Sequence, residues 1–214
     1  LANAPVLGSL DISNNQISDL SPLRSLQFLD DLNVSHNQIS NLTPLQPLTF
    51  IKFLNVSHNQ ISDLSAIAGM SELSRLDVSN NQVLDLKPLA GLSRLVELTL
   101  DYNYVSDLTP LRSLSELTEL SIRNAAYEDN LDLLGYHYLS DVRPLESLKQ
   151  LTKLNLDGNR ISDVRPLSSL SQLQELYLSR NAITDIRAIA PLNLVLLDLD
   201  GNPEIQVEAL TLQP

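Results

Sequence analysis

Two histidines, His36 and His58, are the side chains of this sequence whose type and spacing come closest to a metal site. They occupy the same place in two copies of the heptapeptide VSHNQIS. Imidazole nitrogens bind zinc and related metals, but a stable site needs further ligands, and no carboxylate pair lies near these histidines in the sequence. A duplicated surface residue is the simpler interpretation, and we expect no metal ion and no cofactor.

Other patterns that carry chemistry are nearly absent. The chain has no cysteine and only six glycines, and it contains neither a phosphate-binding glycine loop nor a nucleophile elbow. His137 has no evident partners for a catalytic triad. Asp157, Asp198 and Asp200 could surround a calcium ion, but carboxylates on an open surface are usually solvated. The sequence therefore predicts a protein that is not an enzyme.

The charge of the chain narrows the class of partner. The formal net charge is −12 over 214 residues, whereas nucleic acids and anionic membranes are bound by basic surfaces. The sequence also lacks the long apolar run of a membrane-spanning helix. We expect a protein partner, no nucleic acid and no membrane insertion, and the sequence leaves the oligomeric state open.

The elements that must position any functional side chain belong to a repeated unit. In the copy at 151–172, LTKLNLDGNRISDVRPLSSLSQ, leucines spaced by two indicate a strand, and later apolar residues spaced by three indicate a turn or short 3₁₀ segment. One unit could not bury its apolar face alone, whereas a stack of units could. Units begin at Leu7, Leu29, Ile51, Leu73, Leu95, Leu117, Leu151, Leu173 and Leu194.

The first half of each unit resembles the LxxLxLxxN signature of the leucine-rich repeat family, as in LDDLNVSHN, LSRLDVSNN and LTKLNLDGN. The second half, as in NQISDLSPL and RISDVRPL, resembles the internalin-type repeat of bacterial surface proteins. Repeats of this length also occur in intracellular regulatory subunits of a serine/threonine phosphatase. The resemblance implies an α/β fold: a right-handed leucine-rich repeat solenoid with short parallel β-strands on its concave face and 3₁₀ or short helical turns and loops on its convex face.

The repeat predicts a single elongated domain over residues 1–214, with about nine units. A partial unit occupies 1–6, the sixth unit (117–150) is longer than the others because it carries an insertion, and a closing unit occupies 194–214. The period is lost near Ile205. Because the sequence starts inside a repeat, we expect it to be part of a longer protein.

An asparagine recurs where each predicted strand ends. A buried amide can both donate to and accept from backbone groups that have left the sheet, and the family resemblance implies an asparagine ladder of this kind. The predicted ladder residues are Asn15, Asn37, Asn59, Asn81, Asn103, Asn159, Asn181 and Asn202. Ser21, Thr43 and Thr109 each precede a proline, which predicts that their hydroxyl groups cap the following turns.

Side chains that point out of the concave sheet are expected to decide what the protein binds. In the first four units they are small and polar, including Ser13, Ser35, Ser57 and Ser79, with Phe53 as one aromatic exception, whereas all six tyrosines lie in the later half. Tyrosine and arginine favour protein interfaces. The predicted contact residues are Tyr102, Tyr104, Arg123, Tyr127, Tyr136, Tyr138, Lys153, Tyr177 and Arg180.

The insertion in the sixth unit, at 125–137, is predicted to contribute to this interface, because insertions in repeat proteins form loops that are often on the binding side. It also replaces the ladder asparagine by Ala125. The alternative is that LDLLGYHY forms a short helix and packs over the edge of the sheet. Both interpretations can hold together.

Two columns of charged residues recur at the repeat spacing. Asp101, Arg123 and Asp157 alternate in sign on successive units, which predicts a surface ion-pair ladder; in the alternative, Arg123 contacts an acidic group of a partner. On the return side of the units, Arg143, Arg165 and Arg187 each follow an aspartate by two positions. We expect each of these arginines to neutralise that aspartate.

The function predicted from these observations is a non-enzymatic protein–protein interaction module. By resemblance, it is an adhesion or recognition domain of a bacterial cell-surface or secreted protein. One alternative is a cytoplasmic scaffold or phosphatase-regulatory protein, and another is the recognition domain of a larger enzyme or receptor. The identity of the partner is not encoded in any pattern of the chain.

Overall fold

A computed structural model describes residues 6–124 and 138–205 of the chain. Within them, leucine, valine and isoleucine at alternating positions form short strands, one from each repeat unit, and all neighbouring strands are parallel. The strands form one sheet in chain order: β1 (Ser9–Asp11), β2 (Asp31–Asn33), β3 (Phe53–Asn55), β4 (Arg75–Asp77), β5 (Glu97–Thr99), β6 (Glu119–Ser121), β7 (Lys153–Asn155), β8 (Glu175–Tyr177) and β9 (Leu196–Asp198).

The sheet register follows the sequence period. Leu54 of β3 lies beside Leu76 of β4, which lies beside Leu98 of β5, and all three side chains are buried. Across the longer sixth unit the register is kept, because Leu120 of β6 pairs with Leu154 of β7. The predicted solenoid is therefore confirmed, and the insertion does not interrupt the sheet.

Short 3₁₀ helices form the return side of the units, and the core lies between them and the sheet. Proline at the second position of most of these helices fixes φ and has no N–H to satisfy, which suits a helix start. Their bounds are Ser21–Leu23, Thr43–Leu45, Ser65–Ile67, Lys87–Leu89, Thr109–Ser113, Arg143–Ser147 and Arg165–Ser169.

The predicted hydroxyl caps are wrong. Ser21, Thr43 and Thr109 are the first residues of their helices, and no side-chain cap hydrogen bond is made by the leucine before them. Instead, an Asp or Asn two positions earlier accepts a hydrogen bond from the backbone N–H of that first residue; for Asp19 and Ser21 the distance is 2.8 Å. The hydroxyl belongs to a residue inside the helix, whereas the carboxylate or amide two positions earlier reaches forward to the first N–H of the helix.

Asparagine side chains bond neighbouring units together at the corner after each strand. Asn81 is buried; its Nδ2 donates to the carbonyl of Val56 in the preceding unit at 3.0 Å and to that of Val78 in its own unit at 2.9 Å. Its Oδ1 accepts the N–H of Ile61 at 2.9 Å. All eight predicted ladder residues donate to backbone carbonyls.

The residue immediately before each of the eight ladder asparagines has a left-handed backbone conformation. This left-handed column contains Gly158 and Gly201, but most of its members are not glycine. In those residues φ lies between +53° and +56°, a region that asparagine tolerates better than most side chains. They are Asn14, His36, His58, Asn80, Tyr102 and Arg180.

Candidate protein-binding surface

The first half of the concave sheet contains an aromatic–cation–carboxylate series on three adjacent strands. The Arg75 guanidinium carbon lies 5.3 Å from the centroid of the Phe53 ring, and Arg75 Nε lies 2.9 Å from an Oε of Glu97. These three residues occupy the first position of β3, β4 and β5, where side chains point away from the core. We call them the Arg75 series.

The second half of the sheet also brings together an aromatic ring, a cation and a carboxylate, in a different arrangement that we call the Glu175 series. Glu175 of β8 accepts a hydrogen bond from the Tyr177 hydroxyl at 3.0 Å and pairs with Lys153 of β7 at 3.3 Å. The tyrosine hydroxyl and then the ammonium lower the pKa of Glu175, while the same contacts raise the pKa values of Lys153 and Tyr177. The polar groups of this series therefore stabilise one another.

A third contact lies at the corner beyond the strands. Tyr102, in the left-handed column, is 40% exposed, and the guanidinium carbon of Arg123 lies 5.8 Å from its ring centroid. A cation near an aromatic face is attracted by the ring quadrupole. Together, Tyr102 and Arg123 form an exposed pair between the two series.

The predicted ion-pair ladder of Asp101, Arg123 and Asp157 is wrong. Asp101 is only 8% exposed, and its Oδ1 accepts the Ser121 hydroxyl at 2.7 Å and the Arg123 backbone N–H at 2.8 Å. Asp157 accepts the backbone N–H of Ser179 at 2.8 Å. No salt bridge joins Arg123 to either carboxylate in 6–124 and 138–205, because each carboxylate is turned toward the backbone of the following unit.

The serines at the position of Asp101 in earlier units were predicted to point out of the concave sheet, and this prediction is wrong for three of them. Ser35, Ser57 and Ser79 are buried rather than exposed, with 4% of Ser57 accessible. They lie where the chain leaves the strand and enters the corner, so the adjoining turns cover them. Ser57 donates its hydroxyl to Asn55 at 2.7 Å. These serines support the corner and do not contribute to the concave surface.

The two histidines that could share a metal lie on adjacent units, with ring centroids 3.9 Å apart and planes inclined by 13°. Stacked rings direct their nitrogen lone pairs side by side rather than toward one point. Burial, and then the neighbouring His36, lower the pKa of His58. Among the residues that the structure describes, no group of three or more His, Asp or Glu side chains is arranged to hold a metal ion.

Known proteins that are similar to this chain have the same repeat and the same solenoid fold. Leucine-rich repeat family models match residues 7–47 and 49–91, in the form with two copies, and 143–203. The solved structure of internalin C2 from Listeria monocytogenes is 38% identical, covers 89% of this chain and 80% of its own, and has a TM-score of 0.81. This chain is an internalin-like leucine-rich repeat protein.

Two further structures are similar to this internalin-like chain. A second internalin of Listeria monocytogenes (inlF) is 31% identical with a TM-score of 0.76 over 95% of this chain and 64% of its own. A leucine-rich repeat protein of Leptospira interrogans is 26% identical with a TM-score of 0.82 over 94% of this chain and 50% of its own. This chain thus spans about half to two thirds of the length of these two proteins. A search of curated protein sequences finds no match.

The contact residues predicted for this internalin-like protein fall into separate places. Lys153 and Tyr177 are together in the Glu175 series, and Tyr102 lies beside Arg123. Arg180 is exposed in the left-handed column of the eighth unit. The structure therefore distributes these side chains along the sheet and its corner.

The remaining predicted tyrosines lie away from the strands. Tyr104 follows the end of β5, and its backbone N–H donates to the Val83 carbonyl at 2.9 Å. Tyr138 packs its ring against Arg160, whose guanidinium carbon is 4.3 Å from the ring centroid. Tyr127 and Tyr136, with the rest of the insertion and Ala125, lie outside the described residues.

Sequence reasoning gives too little weight to the first half of the sheet. Phe53 is 37% exposed in the middle of that surface, and Arg75 is held against it. The sequence pattern places both side chains on the outward side of the sheet. Most other outward side chains in this half are small and polar, so the predicted contact residues lie in the later half. The signal that could have identified them is the alignment of Phe53, Arg75 and Glu97 at the repeat spacing.

Proposed function

We propose that this chain is a non-enzymatic protein-binding domain whose concave sheet contacts a partner protein. The observation that carries the proposal is the continuous parallel sheet, on which a uniform buried core supports outward side chains that differ from unit to unit. Members of the leucine-rich repeat family are generally protein-interaction modules. The similarity to two internalins supports placing this domain, as one unit over 1–214, in a bacterial cell-surface or secreted protein.

The interface is proposed to centre on the fifth to eighth units. Tyr102 and Arg123 form an exposed pair there, and Lys153 and Tyr177 present an ammonium close to an aromatic ring, with the polar groups of both residues already contacting Glu175. Hot spots in protein interfaces are enriched in tyrosine and arginine. None of the helices in the described parts of the chain has the length and hydrophobicity that a membrane crossing requires.

The test is an alanine scan against a partner captured from candidate host or neighbouring-cell surface proteins. Tyr102→Ala and Tyr177→Ala should each reduce binding by about 1–3 kcal/mol without loss of folding. Phe50→Ala is the matched control, since Phe50 is an aromatic side chain that is 62% exposed but lies outside the strands of the concave sheet. Losses confined to the first four units, or unchanged affinity after removal of 126–136, would contradict this placement of the interface.

A further inference from the structure

A depression of about 380 Å³ lies in the concave sheet over β2 to β5. Its floor is formed by backbone and by the side chains of the central strands, and it is open to solvent on the concave side. The outward residues that determine its chemistry are Asp31, Phe53, Asn55, Arg75, Asp77 and Glu97.

The depression has an excess of negative charge. Three carboxylates line it against a single guanidinium, that of Arg75, which is paired with Glu97. Asp31 and Asp77 accept hydrogen bonds from neutral donors, the Ser9 hydroxyl at 3.3 Å and the Ser79 backbone N–H at 2.9 Å. Neither carboxylate has a cationic partner at salt-bridge distance in the described part of the chain.

The position of Arg75 shows what kind of group this surface holds. Its planar cation lies near an aromatic ring with a carboxylate at its edge, which is the environment that a guanidinium prefers because it can stack and form hydrogen bonds at once. The partly exposed Phe53 ring and the two carboxylates beside it offer the same combination to a cation from outside the chain.

We propose that this depression binds an arginine side chain in a basic segment of the partner protein. An apolar group would remove Asp31 and Asp77 from water without compensation, and an anion would be repelled by them. An arginine would neutralise the carboxylates and cover the Phe53 ring. The inference rests on the proposal that the concave sheet contacts a partner, and it adds a second contact in the first half of the sheet.

The probe is an acetylated and amidated Gly-Arg-Gly peptide, titrated into the full chain and followed by ¹⁵N NMR. The control peptide contains citrulline, which has nearly the same shape as arginine but no charge. We expect chemical-shift changes at the amides of Asp31, Phe53 and Asp77 with the arginine peptide, and affinity weaker by about tenfold or more with citrulline, which corresponds to about 1.4 kcal/mol.

Variants separate this site from the general acidity of the protein. Asp77→Asn keeps an oxygen for the Ser79 N–H and should weaken the arginine peptide by about fivefold, or about 1 kcal/mol. Arg75→Gln removes the internal competitor for Phe53 and Glu97 and should strengthen binding by about threefold or more. Arg94→Gln is the matched control, because Arg94 also pairs with a glutamate of the neighbouring unit, Glu72, but lies outside the depression.

Three outcomes would overturn the inference: shift changes spread over the acidic surface, equal binding of the citrulline peptide, or equal strengthening by Arg75→Gln and Arg94→Gln. The last would show that only net charge matters. Thermal unfolding of each variant establishes that it is folded before titration. The peptide experiment and the partner scan use different ligands and different residues, so failure of the arginine site can be distinguished from failure of the proposed function.

Discussion

The two halves of the concave sheet contain the same kinds of side chain but place a different charge at the centre. Before the sixth unit, Arg75 lies between Phe53 and Glu97. After it, Glu175 is central and is contacted by a lysine and a tyrosine hydroxyl. A central cation leaves the surrounding carboxylates available, whereas a central carboxylate engages both of its neighbours. Residue type alone therefore does not show which groups remain free to contact a partner.

The largest expected effect concerns the hydrophobic core, which should be equivalent beneath the two halves of the sheet. Leu76 and Leu154 occupy the same strand position in the two halves and are 2% and 0% exposed. Leu76→Asp and Leu154→Asp should each destabilise folding by more than about 4 kcal/mol, because both bury a carboxylate without a partner. Circular dichroism with chemical denaturation measures this. Tolerance of one variant only would show that the two halves do not share an equivalent core.

The asparagine corner should also be equivalent in the two halves. Asn81 and Asn181 are buried and make matching bonds to three carbonyls. Alanine at either position should cost about 1–3 kcal/mol, since the backbone groups lose their partners. Asn15→Ala is the control and should cost less, because Asn15 is exposed. If the losses of stability in Asn81→Ala and Asn181→Ala differ from each other by more than they differ from the loss in Asn15→Ala, the corner is not equivalent in the two halves.

Asp101 lies at the boundary between the halves, and we expect its acceptor oxygen to contribute more to stability than its negative charge. Both of its hydrogen bonds reach Oδ1, which asparagine retains. Asp101→Ala should cost about 1–2 kcal/mol for the two stranded donors, while Asp101→Asn should be close to neutral at pH 7. Equal destabilisation by both substitutions would show that the ionised form is required. Equilibrium unfolding in denaturant provides the comparison.

The pH dependence of the same site has a defined sign. Burial raises the pKa of Asp101 in the folded protein, against the hydrogen bonds that lower it. The folded state therefore holds this proton more tightly than the unfolded state, so the contribution to stability is complete below the unfolded pKa and is lost as pH rises through the folded pKa. Relative to Asp101→Asn, the unsubstituted protein should lose stability over this range. A relative gain with rising pH would contradict the assignment.

The smallest expected effects come from the ion pairs that distinguish the two series. All four partners in the Arg75–Glu97 and Lys153–Glu175 pairs are more than one third exposed, so solvent screens them. Double-mutant cycles with alanine should give a coupling of about 0.2–1 kcal/mol for Arg75–Glu97. The coupling of Lys153 to Glu175 should be no larger, and both should fall further in high salt. A larger, salt-independent coupling in either half would show that the pair contributes to stability as well as to recognition.

The fold was predictable because its determinants repeat in the sequence. Leu54, Leu76 and Leu98 are separated by one repeat period each and lie side by side in the sheet, so the period directly gives the register. The pairs of Arg143, Arg165 and Arg187 with preceding aspartates were also predictable and are confirmed, with N–O distances of 2.6–2.7 Å. For these three pairs local spacing was sufficient, because both partners belong to the same unit.

The candidate surface was less predictable because it depends on contacts between units. Whether Asp101 faces the guanidinium of Arg123 or its backbone N–H is decided by the corner geometry, which the leucine period does not specify. The burial of Ser57 follows from the same corner. At the break in the ladder, Asn124 places its amide 3.5 Å from Oδ1 of Asn159, a contact across the whole insertion for which the sequence offers no signal.

The left-handed column limits how this surface can diversify. Positions such as His36, Tyr102 and Arg180 are exposed and can change their charge or aromatic character at little cost to the core. Valine, isoleucine and threonine are disfavoured there, because a β-branched side chain clashes with the backbone at positive φ. A library that randomises this column to obtain new binding specificities should therefore omit the codons for valine, isoleucine and threonine. More of its members will then fold.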